Sequence, residues 1–197
     1  MRTIETVVYT FDELSDDAKQ KALYDNREIN VDYSEWYDYV YDNFVENTTY
    51  FKVDRIYFSG FWSQGDGAMF EYSDITNELF HKAIDSLKIS NWKKQFLKNN
   101  CTIYGKGRHR GHYYHEKCCE HIIEVENQYR SEYPNIENFI DECEIEIIDF
   151  IIQEYESLAR TLYKDLMAAY EDLTSDECVA DTLIANEYEF LENGKRA

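Results

Sequence analysis

Apolar and aromatic residues crowd most densely into Val53–Tyr72, VDRIYFSGFWSQGDGAMFEY, and the pattern there predicts a β-hairpin. Ile56, Phe58, Phe61, Trp62, Met69, Phe70 and Tyr72 are types that fit a pleated surface. Between the two runs, Ser63-Gln64-Gly65-Asp66-Gly67 supplies glycines able to take the positive φ of a tight turn. So much apolar surface in one place is expected to form the centre of a sheet, closed over by helices from both sides.

The other elements follow from spacing. Glu5–Phe11, ETVVYTF, reads as a first strand, and Ser15 or Asp16 starts a helix through about Glu28. Trp36, Tyr37, Val40, Tyr41 and Phe44 recur at helical spacing between Ser34 and Asn47. Ser73 or Asp74 caps a helix carrying Ile75, Leu79, Phe80, Ala83, Ile84 and Leu87, and a shorter helix follows Ser90. Cys101–Asn127 reads as a second strand pair, with Gly105, Gly107 and Gly111 permitting turns or bulges. Pro134 breaks the chain and Asn135 caps the longest helix. There Ile136, Ile140, Cys143, Ile147, Ile151, Tyr155, Leu158, Leu162, Leu166, Ala169 and Leu173 step by threes and fours. Unbroken, it would be ~58 Å long, so it bends around the sheet, breaks, or projects to meet a partner. Thr174 or Ser175 caps a last helix to Ala185, and Tyr188–Leu191 is a closing strand. The pattern specifies one α+β domain over residues 1–197. Its antiparallel sheet surrounds the central hairpin and is packed by helices, and a long acidic C-terminal helix covers about 135–173.

Charge adds a function class. The 197 residues carry a net charge of −20, with 44% hydrophobic content that supports folding and 18 tyrosines. The acidity is interrupted by one basic island: Lys88, Lys93, Lys94, Lys98, Lys106, Arg108, Arg110 and Lys117 face only Glu116. An acidic field repels nucleic acids and membranes and attracts basic surfaces of proteins that bind nucleic acid. Direct nucleic-acid binding and membrane association are therefore not expected. No secretory signal and no apolar run of ~18–20 residues occurs, and five cysteines without framework spacing fit a reducing, cytosolic compartment.

Three constellations could carry chemistry. His109, His112, His115, Cys118, Cys119 and His121 hold zinc-type donors, but lack a Cys-x2–4-Cys or HExxH spacing, and cations surround them. No metal site or cofactor is expected. Arg108, His109, Arg110, Tyr113 and Tyr114, within a glycine-rich basic stretch, could hold a phosphate and stack a base. Glu137, Asp141, Glu142, Glu144, Glu146 and Asp149 place six carboxylates in thirteen residues, one per ~3.3 Å of helix against ~3.4 Å per phosphate of a DNA strand. No nucleophile elbow or activated cysteine marks an enzyme.

Phe58–Ala68, FSGFWSQGDGA, resembles a motif of a family of small proteins common in tailed phages, some loosely labelled antitoxin-like. YTFDELSDDAKQKA, GHYYHE at Gly111–Glu116 and YEDLTSDECVADTLIANEYEFLENG resemble the same family's other blocks, in the same order. The resemblance implies a phage or mobile-element origin and action in the host cytoplasm, and it carries over no site residues. With the acidic helix, it leads to the expectation of a non-enzymatic inhibitor of a host defence protein that binds nucleic acid, such as a CRISPR or restriction complex. The carboxylates of residues 137–149 would mimic nucleic acid. The alternative is a protein that sequesters a small ligand or nucleotide signal with residues 105–114.

Overall fold

The computed structural model describes residues 6–127 and 134–197. The fold is mixed α/β with antiparallel pairing throughout the described residues, and contacts divide the chain into two compact units. Met1–Tyr39 and Leu166–Ala197 form one; Val40–Asp165 forms the other.

In the first unit, β1 (Tyr9–Thr10) pairs with β6 (Glu189–Phe190). Of the expected strand Glu5–Phe11, Glu5 lies outside the described residues, only Tyr9–Thr10 pairs, and Phe11 opens a 3-10 turn that ends the strand. The cause is local: the Glu13 carboxylate accepts both the Thr10 N–H (2.9 Å) and its hydroxyl (3.0 Å), bending the backbone away from the ribbon. Helix α1 (Asp16–Asp25) follows, with Ser15 accepting the Ala18 N–H. Helix α6 (Asp176–Ala185) starts on Ser175 in the same manner. Phe11, Leu14, Ala18, Ala22, Leu23, Val179, Leu183 and Phe190 make the core of this unit.

The second unit is built on a four-stranded sheet in the order β2 (Phe51–Phe58), β3 (Ala68–Ile75), β4 (Cys101–His109) and β5 (Cys119–Asn127). The hairpin expected at the centre is present, but β2 is an edge strand and the sheet's interior is β3 with β4. Strand β3 continues through Ile75, so Ser73 and Asp74 lie within it. The cap of α3 (Asn77–Ser86) is Thr76, whose hydroxyl accepts the Leu79 N–H. Helix α4 (Asn91–Asn100) leads into β4. Helix α2 (Asp38–Asn47) precedes the sheet, and Phe44 sets its ring edge-on to Phe70.

Helix α5 (Pro134–Leu173) is 40 residues long and runs without a break. In the second unit it covers one face of the sheet, burying Ile140, Ile147, Ile151, Tyr155 and Leu162. The other face is open: Thr102, Tyr104, Lys106 and Arg108 of β4 alternate outward beside Glu120, Ile122, Glu124 and Glu126 of β5.

Strands β4 and β5 pair over nine residues from Cys101↔Asn127 to His109↔Cys119, whereas β3 and β4 meet in register only at Tyr72↔Gly107. Side chains fill the rest of that seam. The Tyr155 hydroxyl donates to the Phe70 carbonyl (2.7 Å) and accepts the Phe70 N–H (3.3 Å), and Glu71 accepts the His109 N–H (2.8 Å). Buried backbone groups must find partners, and here a tyrosine and a glutamate replace a neighbouring strand.

Candidate partner-binding surface

The six carboxylates of α5 stand in two rows that flank an apolar residue, Ile145. With Ile147 buried and ~100° between successive residues, Ile145 points the opposite way, and it is 66% exposed. Glu137, Asp141 and Glu144 lie on one side of Ile145; Glu142, Glu146 and Asp149 lie on the other. Along each flank, neighbouring acids are ~5–6 Å apart, so the density match to one phosphate strand belongs to the two flanks summed. Glu144 has a structural duty as well. Its carboxylate accepts the Val125 N–H at 3.0 Å, occupying part of the outer edge of β5.

Val125 turns inward, so Glu124 and Glu126 stand exposed on the open face of the sheet, the face that α5 does not cover. The strand contribution was missed in the sequence, although Glu120, Glu124 and Glu126 carry the even spacing of an exposed strand face. Glu137, Glu142, Glu146 and Asp149 have no cation within 4 Å among the described residues.

The basic island is dispersed. Lys98 pairs with Asp85 (2.7 Å), Lys94 donates to the Asp85 carbonyl, Lys93 lies over the Phe139 ring, and Arg110 pairs with Glu120 (2.6 Å). The five residues considered for a small ligand do not converge. Arg108 is exposed on the open face, whereas the His109 ring packs against Tyr57 and Tyr114. Tyr114 stacks on Tyr57, and Tyr113 lies against Gly65. The glycine-rich stretch is itself strand rather than phosphate loop. Gly105 and Gly107 are small because Ile75 and Tyr72 cross them: a Cβ would fall 2.1 Å from Ile75 Cδ1 or 2.2 Å from Tyr72 Cε1.

Two stretches noted separately in the sequence, 58–68 and 111–116, come together at one end of the sheet. Asp66 accepts the N–H groups of Trp62 (3.1 Å) and Ser63 (2.7 Å), and the Tyr114 N–H donates to the Gly65 carbonyl (3.4 Å). From α5, the Tyr163 hydroxyl donates to the Phe61 carbonyl (3.3 Å) and Arg160 reaches Glu116 (3.4 Å). Trp62 stands out of this assembly, 76% exposed.

Four of the six clustered histidines and cysteines separate into two pairs, His115 with Cys118 and Cys119 with His121. His115 Nδ1 accepts the Lys117 N–H (3.2 Å), leaving the ring proton on Nε2, 3.3 Å from Cys118 Sγ. Cys119 and His121 face the core, where His121 Nδ1 lies 2.9 Å from the Tyr72 hydroxyl and 3.8 Å from Cys119 Sγ. Burial pushes the Cys119 thiol up to about 11 and the His121 imidazole down to about 4. At neutral pH this pair is therefore thiol and neutral imidazole, not thiolate and imidazolium. Among the described residues no three His, Cys, Asp or Glu side chains could hold a metal ion, and no helix is long and apolar enough to cross a membrane.

The shifted groups set the pH range of stability. Unfolded His121 binds its proton near pH 6.5 and the folded residue near pH 4, so its stabilising contribution is complete above 6.5 and is lost as the pH falls toward 4. The slope is at most ~1.4 kcal/mol per pH unit, reduced by the solvent the ring still meets. Cys119 acts at the other end, with stability lost as pH rises from 9 toward 11. Urea midpoints at pH 7.0 and 5.0 measure the acid limb. His121→Gln flattens it; an unchanged slope in that variant refutes the assignment.

No curated protein and no solved structure matches the chain. The model of a family described as a domain of unknown function, DUF8835, matches residues 36–176, and this chain belongs to that family.

Proposed function

We propose that this protein is a non-enzymatic inhibitor that binds a nucleic-acid-binding protein, using the carboxylates of α5 and β5 against a surface that otherwise holds phosphates. The observation that carries this reading is the run of exposed carboxylates along α5, with Glu137 and Asp141 on one flank of Ile145 and Glu142, Glu146 and Asp149 on the other; Glu124 and Glu126 add exposed carboxylates on β5. Fixed carboxylates attract a basic groove over a Debye length and compete with nucleic acid for the same cations. Phage origin, a host defence complex as partner and action in the host cytoplasm are the finer part of the proposal. They are supported by the likeness of Phe58–Ala68 and Gly111–Glu116, both inside residues 36–176, to phage protein blocks.

The test compares variants that leave the fold intact. Glu142→Gln/Glu146→Gln/Asp149→Asn removes one flank without touching the Glu144–Val125 bond. Capture of a nucleic-acid-binding protein from host lysate, displaced by added duplex DNA, is expected for the parent chain. The triple variant is expected to bind that protein at least ~10-fold more weakly, about 1.4 kcal/mol. A partner that stays bound in saturating DNA, or equal affinity for the variant, counts against mimicry.

A further inference from the structure

The first unit holds a feature that the acidic flanks of α5 do not explain. At the C-terminal end of α6, a groove of about 370 Å³ opens between the 3-10 turn at Phe11–Glu13 and β6. Its floor is apolar: Phe11 and Leu183 belong to the core, and Ile184 is 44% exposed. Its rim is acidic, with Asp12, Glu187 and Glu189. We propose that this groove docks a basic segment of a protein partner, an arginine or lysine whose stem lies on Phe11, Leu183 and Ile184 and whose head meets the three carboxylates.

Four observations converge on that occupant. The C-terminus of a helix carries partial negative charge, and α6 has no basic residue in its last turn to offset it. None of the three rim carboxylates has a cation within 4 Å among the described residues. Residues 1–39 and 166–197 together carry 18 acidic and 6 basic residues, so the surroundings repel an acidic partner. Tyr188, also at the groove, already has the Arg196 guanidinium 3.7 Å from its ring centroid, so this corner accepts an arginine. Long basic side chains suit such a site, since they lay methylenes on apolar surface and keep the charge at the rim.

The rim also departs from ordinary helix-end chemistry. The Glu187 N–H donates to the Ile184 carbonyl and the Tyr188 N–H to the Leu183 carbonyl, the bonding of a Schellman turn. Glycine or asparagine normally takes the left-handed position there, yet here it is Glu187, at φ 51, the one non-glycine with positive φ among the described residues. Its carboxylate is held at the groove despite that strain.

The proposal goes beyond the inhibitor reading and does not depend on it. The full-length 15N-labelled protein is titrated with an acetylated, amidated peptide, Leu-Arg-Ala-Leu-Arg, and with its glutamine-for-arginine counterpart. Shifts are expected at residues 10–12, 183–184 and 187–189 with the arginine peptide only. Glu187→Gly is expected to raise Tm while weakening peptide binding about fivefold, opposite effects that a purely structural residue does not give. Asp12→Asn is expected to weaken binding with Tm unchanged. Shifts located elsewhere, equal binding by both variants, or the same shifts appearing on concentration alone without peptide overturn the proposal, the last by making a second copy the occupant.

Discussion

Tyr155→Ala is expected to cost about 4 kcal/mol of stability, a large part of the ~5–15 kcal/mol typical of a folded chain. The side chain is 0% exposed, and its ring lies 4.4 Å from the Phe70 ring, 4.6 Å from His121 and 5.9 Å from Tyr72. Truncation leaves a ring-sized hole in a close-packed interior and strips Phe70 of the hydroxyl that serves both its N–H and its carbonyl. Tyr155→Phe separates these contributions. It keeps the ring and loses the hydroxyl, so about 1–3 kcal/mol is expected for the stranded Phe70 groups. Urea unfolding of both variants gives the two numbers. Equal losses would mean that the ring contributes nothing and the seam between β3 and β4 is held by the hydroxyl alone; a neutral Tyr155→Phe would mean the seam needs no filling.

Gly107→Ala is expected to be nearly as damaging, at about 3 kcal/mol, near the upper end for overpacking. The added methyl would fall 2.2 Å from Tyr72 Cε1 and 2.6 Å from Cys119 Sγ. Tyr72 is 1% exposed, so its ring has no free space to take up. Movement there also disturbs its hydrogen bond with His121 and the one registered pair joining β3 to β4. In a chain of this size the loss corresponds to a fall in Tm of roughly 6–12 °C. Lys106→Ala, one residue away and exposed on the open face, is expected to change stability by no more than ~0.5 kcal/mol. Thermal unfolding of the pair tests the idea. Matching Tm values would show that Tyr72 does not cross β4 at Gly107.

These two residues show where the sequence is silent. Gly107 lies in a stretch, GKGRHRG, whose composition invites a phosphate-loop reading, and nothing local says that a tyrosine 35 positions earlier lies across it. Tyr155 belongs to a visible apolar stripe, so its burial was legible. The bond of its hydroxyl to Phe70 was not, because partners 85 residues apart share no local pattern. The same distinction runs through the acidic helix. Composition and spacing identified its carboxylates, but the helical angle divided them into two flanks, and the pairing of α5 with β5 drew Glu144 into the sheet edge.

By itself the sequence determined the elements whose signals are local. Those are the hairpin runs around residues 53–72, α4 after Ser90, the strand pair within residues 101–127, the long 3.6-residue periodicity of α5, and the start of α6 at Thr174 or Ser175. Each rests on periodicity, capping or turn chemistry within a few residues. Tertiary structure alone decided the rest: that β2 is an edge strand, that Glu124 and Glu126 stand on the open face of the sheet, that 58–68 meets 111–116, and that α6 ends in an acid-rimmed groove. Strand order, shared edges and grooves depend on which distant surfaces bury one another, and no local run of residues encodes that choice.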